Sequence, residues 1–423
     1  MKTWIGWLAL PVVFALVGCG GGGSSDNSTN NVVTSPQALA AFAVSDARAI
    51  MIAPGDSVLT ASARPASVFT ASSDAKLLKV TENGHVEEVT AVDADGNAIT
   101  TLNTPSAIYD VNDEFLVIGF SSSHYLVRRS DGAAFDLDAE PASLWDERIV
   151  NRSPFRSDAD GNIYFVLAAS RPRFSVQRIL GATGSDLKRE RVTPEGDEVF
   201  SFAVGGSGHV AFTGSPQPRV VSPSGALFNI SNETAAVWTT PSGKLHFNIS
   251  NDRRIMQIDL AEDGTIAVNE YGELPEAGAF HLLYFLHEVA GRLYLIERRD
   301  SNNQLVLELY NETQQPRLVD GLPLTSVKTS AADAEFLYLA GTDDRDQPRL
   351  GRLNPLTDSF EDVLTPNTYD VYEIAVSSTG IITFGATQMS NGARVLGEVD
   401  AQGNLMILRD SLSRDISVLA RVN

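Results

Sequence analysis

From about residue 66 onward the chain alternates short apolar runs with polar turns, and few windows hold a helical period beyond two turns. The recurring unit is an apolar strand, a turn ending in Gly, and a second, more strongly apolar strand. Clear copies are Asp160-Gly161-Asn162-Ile163-Tyr164-Phe165 and Gly206-Ser207-Gly208-His209-Val210-Ala211-Phe212. Ser242-Gly243-Lys244-Leu245-His246-Phe247, Ala290-Gly291-Arg292-Leu293-Tyr294-Leu295 and Thr379-Gly380-Ile381-Ile382-Thr383-Phe384 repeat it. Degenerate copies follow Asn112-Asp113-Glu114 and Asp333-Ala334-Glu335. Gly suits these turns because tight hairpins need positive φ. The run Phe280 to Val289 is the most apolar one, and its β-formers with the Gly291 turn predict a strand.

With Asp113, Gly161, Gly208, Gly243, Gly291, Ala334 and Gly380 as markers, the intervals are 48, 47, 35, 48, 43 and 46 residues. Two further strands follow each marked hairpin, for example Phe174 to Leu180 with Leu187 to Thr193, and Arg394 to Val399 with Leu405 to Leu408. A period of 40–50 residues with about four strands per copy is the signature of a β-propeller. The fold class expected is therefore all-β, a propeller of about eight four-stranded blades, or alternatively seven. A β-sandwich array or solenoid is the competing architecture, but sandwiches rarely keep one period over so many intervals.

Lys76 to Thr81 and Val86 to Thr90 read as the outer half of one more blade, and Ile416 to Val422 as a lone final strand. Pairing the N- and C-terminal strands would close the ring and remove its open edges. Eight blades then require Ser67 to Ala71 as the missing second strand; seven result if residues 66 to 90 decorate the outside.

The N-terminus has a different pattern. Met1-Lys2-Thr3 is a short basic start, and Trp4 to Val17 is an apolar run of 14 residues broken only by Gly6 and Pro11. That run is too short for a bilayer core of about 20 residues and fits the apolar region of a signal peptide. Leu16-Val17-Gly18-Cys19 follows at once, and Cys19 is the single cysteine of the chain. No intramolecular disulfide is therefore available, and no cysteine-based zinc site.

This N-terminus resembles that of bacterial lipoproteins, whose lipobox the four residues match. The resemblance covers the first 19 or so residues. It implies cleavage between Gly18 and Cys19 and acylation of Cys19, with several acyl chains giving firm membrane anchoring. Gly20 in place of Asp at the next position points, by enteric-type sorting, to the outer membrane. With the repeated body, the architecture is similar to that of outer-membrane propeller lipoproteins. The organisation expected is a signal peptide over 1–18, lipidated Cys19 and a Gly/Ser/Asn tether over 19–36, an N-terminal clip over 37–65, and the propeller over 66–423. Residues 20–36 reach roughly 20–25 Å as a flexible chain.

Composition narrows the functions. The 423 residues carry a formal net charge of −21, spread along the chain without an acidic tail. Such a polyanion is repelled by phosphate backbones, which excludes nucleic acid as an expected partner. Asp158-x-Asp160-Gly161 and Asp93-x-Asp95-Gly96 resemble fragments of calcium loops, but the third acidic position is missing and hairpin turns account for them. The six histidines, His85, His124, His209, His246, His281 and His287, include no HExxH or His-x-His. His209 and His246 hold equivalent or near-equivalent positions in successive copies, as a repeat would produce. Gly205-Gly206-Ser207-Gly208 has the wrong spacing for a nucleophile elbow. Asp343-Asp344-Arg345-Asp346 and Arg298-Arg299-Asp300 read as solvated hairpin tips. Only Trp145 and Trp238 remain beyond the signal peptide, too few for the tryptophan docking motif of quinoprotein propellers.

No catalytic residue, cofactor or metal ligand is assigned. The function expected is a lipid-anchored, non-catalytic scaffold on the periplasmic face of the outer membrane that binds an envelope protein. The alternative is a small-ligand-binding or hydrolase/lyase-type propeller with its site in the axial funnel.

Overall fold

The structure is a computed structural model that describes residues 33–35, 40–44, 47–53, 75–137 and 155–421, with short breaks inside the last two ranges. By internal contacts the chain divides into residues 1–31 and 32–423, and the first part lies outside the described residues. Every described element is a strand or turn, and none is a helix. The body is an all-β, propeller-like repeat of antiparallel meanders.

The strands from Pro105 to Leu412 form seven successive sheets, each running inner to outer in chain order. Their four-strand units span 105–136, 156–191, 198–229, 234–273, 283–318, 326–362 and 369–412. The eighth sheet joins the chain's two ends. Its order is Val418–Arg421, Ala47–Ala53, Lys76–Thr81, Val86–Glu88. Ala49 pairs with Arg421 and Ile52 with Val418. Terminal pairing therefore occurs, but its second strand is Ala47–Ala53. Ser67 to Ala71, expected there, lie outside the described residues. The seven residues of Ala47–Ala53 include Ile50, Met51 and Ile52, all at 1% exposure or less, so this segment buries apolar surface on both faces.

The five marker glycines all have positive φ, from 75° at Gly291 to 81° at Gly161 and Gly243. The two degenerate copies solve the same turn with a side chain. Asn112 Oδ1 accepts the N–H groups of Glu114 and Phe115 at 3.0 and 2.8 Å. Asp333 Oδ1 accepts those of Glu335 and Phe336 at 2.8 Å each. A short polar side chain that binds the backbone two and three residues on replaces the left-handed glycine.

Apolar faces weld neighbouring sheets. Tyr109, Phe115 and Val117 pack with Ile163 and Phe165; Tyr164 and Val166 with Phe202 and Phe212; Ala211 and Val220 with Leu245 and Phe247. The same holds for Tyr294 with Leu337 and Leu339, and for Tyr338 with Ile374 and Phe384. Met51 and Val80 meet Leu396, and Ile50 and Ile52 meet Leu116 and Ile118.

The hairpin turns also touch one another. Ala159 N donates to Gly206 O at 3.1 Å, Gly206 N to Gly243 O at 2.9 Å, and Ser242 N to Glu288 Oε2 at 3.0 Å. A Cβ on Gly243 would stand 2.7 Å from Gly206 Cα and N. Gly205-Gly206-Ser207-Gly208 is thus a turn built for close backbone approach.

Residues upstream of the repeat strap its rim. Val33–Ser35 pairs with Arg189–Leu187 on the outer edge of the 156–191 sheet. Ala40–Phe42 adds to the outer strand Ala133–Asp136, and Ala91–Val92 adds beyond it. Phe42 is 2% exposed and lies 6.0 Å from Phe120 and 5.8 Å from Tyr125, centroid to centroid. Its N–H donates to Gly132 O at 2.8 Å.

Phe42→Ala removes the aromatic that nails this strap. The expected loss is about 3–5 kcal/mol, read from the denaturant midpoint. Gly243→Ala should cost clearly more than Gly225→Ala. Both positions have positive φ, but a Cβ on Gly225 meets nothing within 4 Å. The second variant therefore carries only the left-handed strain of about 1–2 kcal/mol. Equal losses would contradict the turn-to-turn contact.

Candidate functional site

The inner strands share a distortion near their starts. One residue has no partner in the second strand at Ser106, Phe200, Ala235, Tyr284, Lys328 and Tyr372. A β-bulge at one place in six sheets re-aims a side chain at the same end of each inner strand. The second strand makes room for it. Gly119, Gly214, Gly341 and Gly385 each pair with a residue flanking the bulge. A Cβ on Gly214 would lie 1.8 Å from Glu198 O, and one on Gly341 1.8 Å from Ser326 O. In the 234–273 sheet Asn248, 1% exposed, takes this role and its Oδ1 accepts Ala236 N–H at 3.0 Å.

At this end of the sheets Phe200 is 53% exposed although it lies within a strand. Lys328 Nζ reaches Asp370 Oδ1 on the next sheet at 2.5 Å. Further along, past the bulges and toward the hairpin end, His287 Nε2 meets Ser330 Oγ at 2.9 Å, again across two inner strands. Arg219 Nη1 donates to Asp197 Oδ2 at 2.9 Å with both side chains largely buried. The half-exposed Lys328–Asp370 pair adds little stability; its consequence is to fix two neighbouring inner strands. The features at this end are thus an exposed aromatic on the 198–229 sheet and, separately, an ion pair joining the 326–362 and 369–412 sheets.

The acidic motifs are occupied within their own turns. Asp158 Oδ1 accepts the N–H groups of Asp160 and Asn162 at 3.1 and 2.9 Å. Its Oδ2 accepts Asn162 Nδ2 at 2.9 Å and the Tyr164 hydroxyl at 2.8 Å. Asp93 holds Asn97 in the same manner, with Asn97 N–H at 2.9 Å. Asp343 Oδ1 accepts the N–H groups of Arg345 and Gln347 at 2.9 Å each, so this cluster is a turn whose Asp346 has φ of 57°. Among the described residues no three His, Cys, Asp or Glu side chains gather as a metal site. Gly18 and Cys19 lie outside the described residues, as do Asp95, Gly96, Trp145 and His281.

Asp158 also begins a ladder across its sheet. Tyr164 pairs with Arg178, and Arg178 with Glu190, to which its guanidinium is bonded. The 326–362 sheet repeats the series. The Tyr338 hydroxyl donates to Asp333 Oδ2 at 2.7 Å, Tyr338 pairs with Arg352, and Arg352 binds Glu361 Oε2 at 2.8 Å. Burial, then the carboxylate partner, pushes both phenols well above the usual tyrosine range. The two phenols therefore stay protonated near neutrality and brace the sheets.

The histidines have separate lives. His209 sits in the turn before Val210–Ser215 and its Nδ1 meets Ser207 Oγ at 2.9 Å. His246 lies inside Leu245–Ile249, 2% exposed, stacked on Trp238 at 6.2 Å and met edge-on by Tyr271 at 5.1 Å. His209 directly follows its turn glycine and His246 stands three residues after Gly243, so the two positions are not equivalent. Sequence reading missed the bulges. Their signal was a glycine late in four of the second strands, as in Phe115-Leu116-Val117-Ile118-Gly119 and Leu337-Tyr338-Leu339-Ala340-Gly341.

No protein-family model and no curated protein matches the chain. Similar solved structures include the dihydro-heme d1 dehydrogenase NirN, 11% identical over 90% of this chain and 81% of that one, with a TM-score of 0.47. Another is a putative 6-phosphogluconolactonase from Bacteroides fragilis, 13% identical over 74% of this chain and 96% of that one, with a TM-score of 0.42. A third is virginiamycin B lyase from Staphylococcus aureus, 14% identical over 60% of this chain and 82% of that one, with a TM-score of 0.36. None reaches a TM-score of 0.5, and they say nothing of this chain's chemistry.

Burial drives His246 and His287 down to about 4. Both are neutral when folded, whereas an unfolded histidine titrates near 6.5. Between those values the unfolded chain binds more protons, so stability is complete above about pH 6.5 and falls as pH drops toward 4. Each histidine contributes a slope of up to about 1.4 kcal/mol per pH unit. Melting temperatures at pH 7 and 4.5 should differ, and the double variant His246→Gln with His287→Gln should narrow the gap. An unchanged gap would refute this assignment.

Proposed function

We propose that the chain is a lipid-anchored envelope protein with a closed, eight-bladed β-propeller body that binds other polypeptides as a non-catalytic scaffold. The eight sheets and the pairing of Val418–Arg421 with Ala47–Ala53 support the count and the closure. The Leu16-Val17-Gly18-Cys19 motif supports acylation at Cys19 and an outer-membrane location, on the periplasmic face.

The observation that carries the binding role is strand addition at the rim. Val33–Ser35 and Ala40–Phe42 each extend a sheet beyond its fourth strand. The outer edges of this body thus accept extended polypeptide, the recognition mode in which main-chain hydrogen bonds supply affinity. The commitment of Asp158, Asp333 and Asp343 to turns and ladders favours binding over acid–base chemistry.

A second reading, a small-ligand or lyase-type site in the axial funnel, is favoured by the six bulges and by exposed Phe200. It predicts a ligand-dependent thermal shift that Phe200→Ala and Lys328→Ala abolish.

Cys19→Ala should leave the protein unprocessed or soluble in cell fractionation, and unchanged membrane partitioning would overturn the anchor. Affinity isolation of the wild-type protein from solubilised envelopes should recover a specific envelope protein in near-stoichiometric amount. Recovery of none would overturn the scaffold role.

A further inference from the structure

The outer strands of the described sheets fall into three groups. Val86–Glu88, Leu227–Asn229, Arg317–Leu318 and Ser359–Asp362 have two to four residues, and such short edges offer little to pair with. Ala133–Asp136 and Asp186–Arg191 are covered by added strands of the same chain. Two outer strands of eight residues remain, Ile266–Glu273 and Leu405–Leu412, and no described strand pairs with the free edge of either.

Their chemistry differs in charge and in how much apolar surface is exposed. Ile266–Glu273 also opens apolar, with Val268 40% exposed, but it goes on to Glu270, Glu273 and an Asn269 whose amide is bonded to Asp259 at 2.7 Å. Leu405–Leu412 opens with Leu405, Met406 and Ile407, exposed at 43, 50 and 39%. These three pair regularly with Val399, Glu398 and Gly397, and the register breaks only beyond Ile407. Successive side chains point to opposite faces, so the strand offers apolar surface on both sides of a regular edge.

We propose that the free edge at Leu405–Ile407 is a docking site for an extended segment of a different polypeptide, apolar at alternate positions and neutral to basic. The inference rests on the scaffold reading and names where and what that scaffold binds. Net charge selects the occupant: a second copy would bring another −21 against this one, whereas a basic segment is drawn in by the same field. The bulge after Ile407 limits the paired stretch, so the interface is small and binding is weak and reversible.

The test uses the full mature chain and three synthetic ten-residue probes. One alternates Val with Thr and Lys, one is the same peptide with alternate backbone amides N-methylated, and one carries Glu for Lys. Binding is read by fluorescence anisotropy, amide exchange over 405–412 by mass spectrometry, and mass by sedimentation. The basic probe should bind and slow exchange over 405–407 at least tenfold. N-methylation, Glu for Lys, or Met406→Asp in the protein should each weaken binding at least tenfold. Met406 is half exposed, so that variant keeps the fold, as its melting temperature checks.

No binding of the basic probe, equal binding of the N-methylated one, or unchanged exchange over 405–407 would overturn the proposal. So would a dimer in sedimentation that Met406→Asp dissolves, since a second copy would then hold the edge. Anchoring and envelope-partner recovery are read separately. Failure here with those intact removes this edge and leaves the proposed function standing.

Discussion

A sheet edge is a row of backbone donors and acceptors awaiting partners, and a chain of repeated four-stranded sheets must dispose of such edges where it begins and ends. Here the final strand, Val418–Arg421, becomes the innermost member of a sheet whose other three strands come from residues 47–88. Leu419 and Ala420 stand opposite Met51 and Ile50 in an antiparallel ladder. Met51 is then buried toward Leu396 of the preceding sheet, and Ile50 toward Leu116 and Ile118 of the following one. The face-to-face packing of the first and last sheets depends on this junction between residues some 370 apart. Loop closure over that span is entropically unfavourable, and only the burial on both faces of Ala47–Ala53 offsets it.

The same economy of edges explains the N-terminal strap and the polar interior. Val33–Ser35 and Ala40–Phe42 cover outer strands that would otherwise stand bare, with Phe42 packed against Phe120 and Tyr125. Within the sheets, carboxylates that look like ligands in isolation are turn-binding groups. Asp158 and Asp333 each hold their own hairpin and a buried tyrosine hydroxyl, so one residue sets both the turn and the register of the next strand. Two kinds of place keep ladder positions with no partner among the described strands, the bulged starts of the inner strands and the long outer edges.

Much of the repeat was legible in the chain because its local rules are strict. A tight hairpin needs a left-handed residue or a capping side chain, so Gly161, Gly208, Gly243, Gly291 and Gly380 announce themselves, and Asn112 and Asp333 stand in where glycine is missing. Strand alternation then places the apolar runs. The Leu16-Val17-Gly18-Cys19 motif, on which the proposed acylation rests, is likewise a matter of adjacent residues.

What the fold alone decided lies between segments distant in sequence. Nothing local distinguishes Ala47–Ala53 from Ser67 to Ala71 as the strand that receives the C-terminus, because that choice depends on which segment can be buried on both faces at once. Nor does any single copy disclose that Gly206 and Gly243 touch, that Phe200 is turned outward by a bulge, or that no described strand pairs with the outer edge of Leu405–Ile407 while most of its counterparts are short or covered. Turns and strand faces follow from interactions within a few residues and can be read in order along the chain. Edge coverage and sheet closure follow from backbone hydrogen bonds between remote segments, and those become definite only once every sheet has its neighbours.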